Sequence, residues 1–244
     1  NQSYSNWNMD DYFQPGTDRF DSLLAEITMK TSFIEGGSRI QDKSGLYHLH
    51  SEKIYNLDFA KITIGGNVRV YTPRSGGSLF SDTNGVTIVN KEFGVYAGIE
   101  KRFYEDKLIA KATMRLDKNE NFKYLPSPAA SLIWQPNKKH SLRSTFTSAI
   151  RNPTLLNQYM YYNVGRAKLV GNINGYDSLV TVESLREFYY TQDPTTLAYF
   201  NLDPIQPEEV KSIEFGYRGS FLENIYVDLN YYYSFYTNFI GYIN

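Results

Sequence analysis

The sequence predicts an all-β chain: an antiparallel up-and-down meander of about eight strands, part of a transmembrane β-barrel, with long loops at one end and one short helix near the N-terminus. Three observations predict it. Apolar and polar residues alternate at period two through eight segments, the connections between those segments are alternately short and long, and large aromatics collect on the apolar faces near the strand ends.

Composition narrows the classes first. The 244 residues include 22 Tyr and 15 Phe, 16% aromatic and 21% charged, with a mean hydropathy of -0.46. That is too aromatic for disorder and too polar for a helical membrane protein. No run approaches the roughly 20 apolar residues of a membrane-spanning helix, but a strand that is apolar on one face escapes that test. A net charge of -1 gives no general attraction to nucleic acid, and the absence of cysteine excludes disulfides, thiol catalysis and cysteine-ligated metal. The first residues, NQSYSNWNMDDYFQPG, hold no secretory signal, so an exported protein would be represented here in mature or partial form.

The helix comes first. In TDRFDSLLAEITMK, Phe20, Leu23, Leu24 and Ile27 share one side at helical spacing, with Thr17 or Asp18 as cap. The period then changes to two. In AKITIGGNVRVY, Ala60, Ile62, Ile64, Val68 and Val70 oppose Lys61, Thr63, Asn67, Arg69 and Tyr71. In KLIAKATMRLD, Leu108, Ala110, Ala112, Met114 and Leu116 oppose Lys107, Lys111, Thr113, Arg115 and Asp117. The last strand, IYVDLNYYYSFY, sets Ile225, Val227, Leu229, Tyr231, Tyr233 and Phe235 against Tyr226, Asp228, Asn230, Tyr232, Ser234 and Tyr236. Residues 93–103, 127–135, 141–149 and 210–221 read as further strands. The earliest, 46–57, is the least regular, because Lys53 falls on the face that Tyr47, Leu49, Tyr55 and Leu57 make apolar.

Short turns are expected at Asp58 and Phe59, at 104–106, at 136–140 and at 222–224. The alternate connections, 72–92, 118–126 and above all 150–209, are expected to be long and irregular. Up-and-down strands therefore put every short turn at one end, the order of outer-membrane barrels. Phe103, Trp134 and Phe221 sit on apolar faces near short turns, and Phe93 and Phe235 near long loops, as two headgroup-level belts. A soluble β-sandwich would explain the alternation equally well; the turn asymmetry and the belts decide for the membrane.

Three stretches carry a resemblance to a known family: FTSAIRNPTLLNQY (146–159), NLDPIQPEEVKSIEFGYRG (201–219) and IYVDLNYYYSFYTNFIGYI (225–243). They resemble the TonB-dependent outer-membrane receptors, and most closely the subgroup with an N-terminal carboxypeptidase-regulatory-like domain. The strand ending in Arg151, Asn152 and Pro153, the long loop, and the return through Pro207, Glu208, Glu214, Gly216 and Tyr217 are the matching pattern. YFQPGTDRFDSLLAEI and RVYTPRSGGSLFSDT resemble the family's external loops. The resemblance implies a 22-stranded plugged barrel in the outer membrane of a Gram-negative bacterium, energised through a TonB complex. With about eight strands and no plug, the chain is expected to be an internal piece of one, organised as 1–45 (loop segment with the helix), 46–149 (strands one to six), 150–209 (long extracellular loop) and 210–244 (strands seven and eight, truncated). Its partners are then outer-membrane lipid, the rest of the barrel and plug, the TonB complex through the absent N-terminal part, and a surface lipoprotein or other protein as a further candidate; nucleic acid is not one.

No cofactor and no enzyme are indicated. There is no dinucleotide fingerprint, phosphate loop, zincin motif or nucleophile elbow. His48, His50 and Glu52 share a strand face and are chemically able to hold a metal, but a wet barrel interior explains them without one, and no metal is assigned. The long loop is the best binding candidate. Tyr159, Tyr161, Tyr162, Asn163, Arg166, Asn172, Asn174, Tyr176, Tyr189 and Tyr190 combine flat apolar contact with hydrogen bonding, suited to a glycan, peptide or chelate; the alternative is that the tyrosines form the loop's own core. Import of a nutrient or chelate is the expected function. The alternatives are a non-transporting barrel component or adhesin, and a soluble sandwich binding module.

Overall fold

The computed structural model describes residues 14–30, 37, 39–164, 167–221 and 224–241. Helix α1 (Asp18–Met29) comes first; the Thr17 hydroxyl caps it by accepting from the Phe20 amide, and none of its residues is buried, Leu24 and Ile27 being exposed. Eight long strands then form one sheet: β1 (Gly45–Asn56), β2 (Lys61–Thr72), β3 (Asn90–Phe103), β4 (Leu108–Asn119), β5 (Leu125–Asn137), β6 (His140–Arg151) and, after an excursion, β11 (Glu208–Phe221) and β12 (Ile225–Thr237). Every neighbouring pair is antiparallel and every long strand pairs with the next in the chain. The sheet is open, with β1 and β12 at its edges.

Register keeps the two faces separate across all eight strands. One row runs Lys53, Ile64, Ala97, Met114 and Pro128, and another Leu132, Ser144, Phe215 and Tyr231, so one face is apolar from edge to edge. The opposite face carries His50, Asn67, Arg115, Arg143, Glu214 and Asp228. Leu49, Val95, Met114, Leu229 and Tyr231 remain exposed, and the only buried hydrophobic residues among those described are Ala60, Phe80 and Phe122. A sandwich would press a second sheet onto that surface. Here the surface faces outward, as a barrel wall in hydrocarbon requires. Lys53 lies in the apolar row with its ammonium 5.9 Å from the Tyr55 ring centre, which lets a charge occupy an outward position beside an aromatic.

The connections differ in detail from the sequence expectation. The β5–β6 turn shortens to two residues, Lys138 and Lys139, because Asn137 pairs with His140. The β4–β5 loop is only 120–124, since both strands extend into what reads as irregular sequence. The largest connection, 152–207, is far from irregular. It contains α2 (Leu155–Tyr159), the hairpin of β7 (Tyr161–Asn163) and β8 (Lys168–Val170), then β9 (Tyr176–Val180), α3 (Val182–Thr191), one 3-10 turn and β10 (Tyr199–Leu202), which pairs with β9. No described helix is long and apolar enough to cross a membrane, which says nothing about crossing by strands.

Candidate functional site: the polar wall and the folded loop

The polar face is laced together by side chains that cross a whole strand, and each crossing passes over a glycine. Tyr96 on β3 is opposite Gly65 on β2, and its ring lies over that glycine to reach β1. There its hydroxyl donates to Glu52 Oε2 at 2.6 Å and contacts His50 Nε2 at 2.9 Å. With the phenolic proton given to Glu52, the His50 Nε2–H is the donor to the phenolic oxygen. Arg115 on β4 likewise passes over Gly94 and donates from Nη2 to Asn67 Oδ1 on β2 at 2.7 Å, while forking onto Asp117. Arg143 on β6 passes over Gly216 to Glu214 on β11 and to Asn230 on β12. A side chain at any of these glycines would occupy the space of the crossing group. Lys111 and Glu100 (2.8 Å) and Arg218 and Asp228 (2.9 Å) add cross-strand ion pairs. All are at least partly in contact with water and worth roughly 0–1 kcal/mol each.

This places His50 and Glu52 in a hydrogen-bonded wall, with His48 on the same strand face. Among the described residues no group of three or more His, Cys, Asp or Glu is arranged to hold a metal.

At the long-loop end of the wall a polar latch holds the large excursion down. Asn152 Nδ2 donates to Glu92 Oε1 at 2.8 Å, and Asn119 Nδ2 donates to the same oxygen at 2.9 Å. Asn119 also reaches Asn90 Oδ1, Asn90 reaches Gln158, and Asn121 donates to Gln158 and to the Tyr159 hydroxyl. Gln158 closes the set on the Pro153 carbonyl at 2.7 Å. Asn90, Asn119 and Gln158 are 1–2% exposed, so these amides are desolvated and each needs the others. A cavity of about 530 Å³ between wall and loop is lined by Arg69, Glu92, Arg115, Asp117, Asn152 and Gln158.

The 73–89 loop is pinned separately. The Asp82 carboxylate accepts from the Ser75 and Gly77 amides (2.5 and 2.7 Å), the Gly76 amide (3.0 Å) and the Ser75 hydroxyl (2.7 Å). Gly76 and Gly77 have φ of 59° and 84°, the geometry that turns consecutive N–H groups toward one anion. Burial pushes the Asp82 carboxyl up, but the hydrogen bonds from Ser75, Gly77 and Gly76 together outweigh it and hold it below the ordinary aspartate value. This loop joins the large one through the Tyr161 amide, which donates to the Leu79 carbonyl at 2.7 Å.

The tyrosines and asparagines named from sequence separate into two groups. Tyr159 belongs to the latch, Tyr176 donates to the Gly171 carbonyl, and Asn172 donates to the Asp203 carbonyl, so these three serve the loop's own fold. Tyr162 and Asn163 are half-buried in β7, and Asn174 is exposed. Tyr161, beside the Lys168 ammonium, and Tyr189 and Tyr190, edge to face on α3, present their rings outward. Arg166 lies outside the described residues. Elsewhere in the loop a second cavity, about 750 Å³, is lined by Met160, Leu169, Asn172, Leu179, Phe200 and Ile240, and Tyr176 is the loop tyrosine that reaches it. Sequence reasoning missed the apolar residues of this cavity: Leu169, Leu179 and Phe200 sit in three- to five-residue strands too short to show a period, and Met160 and Ile240 lie outside strands.

The motif residues each have a partner. Arg151 pairs with Glu208 at 2.6 Å, Glu208 accepts from the Ile240 amide, and the Pro207 carbonyl accepts from Asn238. Glu214 and Gly216 receive Arg143, and the Tyr217 hydroxyl meets His140 Nδ1 at 2.8 Å. Phe103, Trp134 and Phe221 lie on the outward face beside short turns, and Phe93 and Phe235 on the same face toward the long loops.

A family model described as TonB dependent receptor-like, beta-barrel, matches residues 1–244. No curated protein sequence matches the chain significantly. Among solved structures the chain is similar to the siderophore receptor PirA from Pseudomonas aeruginosa, with a TM-score of 0.57 and 16% identity over 82% of this chain and 33% of that one. It is also similar to a variant of the ferric enterobactin receptor PfeA from Pseudomonas aeruginosa (TM-score 0.52, 15% identity, 79% of this chain and 27% of that one). A third is PirA from Acinetobacter baumannii (TM-score 0.51, 14% identity, 84% and 29%). The chain thus spans a third or less of the length of these barrels, and at such identities the likeness is one of fold. With the family matched along the whole sequence, the chain belongs to the TonB-dependent receptor-like β-barrels, outer-membrane receptors of Gram-negative bacteria rather than enzymes.

Proposed function

We propose that this chain is the ligand-capturing side of an energised importer, taking up a nutrient or chelate through a barrel of which its sheet is one wall. The observation that carries the reading is the loop 152–207: folded in itself, latched to the polar wall through Asn152 and Glu92, lining with residues 238–241 a mostly apolar cavity of about 750 Å³, and exposing Tyr161, Tyr189 and Tyr190 on its surface. Cavities of this size with a few polar groups suit a compact ligand, and the siderophore receptors of similar fold make a metal chelate the first class to try. Tyr161, Tyr189 and Tyr190 are proposed as the residues that meet it. Phe103, Trp134 and Phe221 at one level, and Phe93 and Phe235 at the other, are proposed as the belts that seat the wall in lipid.

Energising by a TonB complex and occlusion by a plug are part of the same proposal for the whole receptor. The test is uptake of labelled chelates by cells carrying the full-length protein, with and without a protonmotive-force uncoupler. Uptake that the uncoupler abolishes and that Tyr189→Ala with Tyr190→Ala weakens supports the reading. Binding without energy-dependent uptake supports a non-transporting receptor or adhesin instead.

A further inference from the structure

On the outward face, β5, β6, β11 and β12 form a groove of about 420 Å³ whose wall is almost wholly apolar. Its floor follows from register. Ser144 on β6 lies between Leu132 and Phe215, and Phe215 is opposite Tyr231. The next row toward the short turns is Trp134, Leu142, Tyr217 and Leu229. A small side chain recessed among Leu132, Trp134, Phe215, Leu229 and Tyr231, each at least 47% exposed, leaves a channel along the strand.

The short-turn end of the groove is polar and basic. His140 and Tyr217 stack there, joined by a 2.8 Å hydrogen bond, with the Phe221 ring edge-on to His140. Immediately beyond, at the rim, is the two-residue turn of Lys138 and Lys139, both exposed and without an ion-pair partner among the described residues; the turn also borders a cavity on the polar side with Arg218 and Asp228. The turn is held in shape by the Lys139 amide on Asn137 Oδ1 and the Ser220 amide on the Lys139 carbonyl. Apolar channel, amphipathic ledge and two cations on a fixed turn follow one another in the order of acyl chain, ester region and phosphate in a phospholipid.

We propose that this groove holds a resident anionic phospholipid of the periplasmic leaflet, one acyl chain over Ser144 and the phosphate at Lys138 and Lys139. Orientation follows from the family, whose short turns are periplasmic. The channel opens to hydrocarbon and the cations lie at headgroup level, so charge and depth complement a single lipid molecule. Juxtamembrane lysines favour anionic lipid by roughly fivefold each at the membrane surface.

The test uses the full-length receptor, reconstituted, delipidated in mild detergent and weighed by native mass spectrometry after exposure to dioleoylphosphatidylglycerol or dioleoylphosphatidylethanolamine. Wild type should retain one phosphatidylglycerol more than Ser144→Phe, and Ser148→Phe on the same strand face should behave as wild type. Ser144→Leu, a smaller filling, guards against a variant that does not fold, and heat-modifiable gel mobility checks each barrel. Lys138→Ala with Lys139→Ala should abolish the preference for phosphatidylglycerol. Equal lipid retention by wild type and the folded Ser144 variants overturns the proposal, as does equal retention of the two lipids by wild type. So does a bound protein that Ser144→Phe releases.

Discussion

The Tyr96 hydroxyl donates to Glu52 at 2.6 Å although β2 lies between their strands, and the crossing exists because position 65 is glycine. Three strands are therefore tied by one ring on the water-facing side of a sheet that has almost no core of its own. Gly65→Val should displace Tyr96 and lower stability by about 1 kcal/mol, the net worth of a hydrogen bond in contact with water. Tyr96→Phe should cost a similar amount, and the double variant little more than either. Urea-unfolding midpoints of the reconstituted receptor measure this; additive losses would mean that the two residues do not act as one joint.

The latch makes a second expectation. Asn152→Ala removes the donor to Glu92 and leaves that carboxylate with less than its full set of partners. Opening of the 152–207 loop should become five- to thirtyfold more frequent, as a change of about 1–2 kcal/mol implies. Limited proteolysis should then cut within the loop while the strands stay protected.

The Asp82 nest sets a pH dependence. Its folded value is held below the ordinary one despite burial, so the stabilisation is fully present above the unfolded aspartate value of about 3.9 and is lost as pH falls through the lower folded value. Hydrogen exchange of the Gly76 and Gly77 amides, corrected for intrinsic rates, should stay slow from neutral pH down through the ordinary carboxylate range and rise only below it. Asp82→Asn should make it fast throughout.

The two faces should tolerate charge differently. Ile99→Lys, on the apolar face midway between Phe93 and Phe103, should cost about 2–4 kcal/mol, while Thr113→Lys, at the same level on the polar face, should cost close to nothing. Folding yield into lipid vesicles across a urea series compares them.

How much of this is legible in the sequence depends on the range of the information. The eight long strands are, because alternation over a dozen residues records which face is wet, and β12 shows it without its partners. The helix start at Thr17 is local and equally legible. The Tyr96 crossing is not, since it needs the register of three strands at once. Nor is the sorting of the loop tyrosines: Tyr159 and Tyr189 are the same residue in similar context, and only the fold puts one beside Asn121 and leaves the other outward. Short β7–β10 carry too few residues for a period, so a folded loop reads as irregular chain.

The central claim, one face in hydrocarbon and the other in a watery lumen, is tested most directly on β12. Single nitroxide labels at 228 to 233 in the reconstituted full-length receptor report accessibility to oxygen, which concentrates in lipid, and to a water-soluble nickel chelate. The account predicts period two: oxygen at 229, 231 and 233, chelate at 228, 230 and 232. Labels at 229, 231 and 233 shielded from both reagents would mean that protein covers that face, and would contradict it.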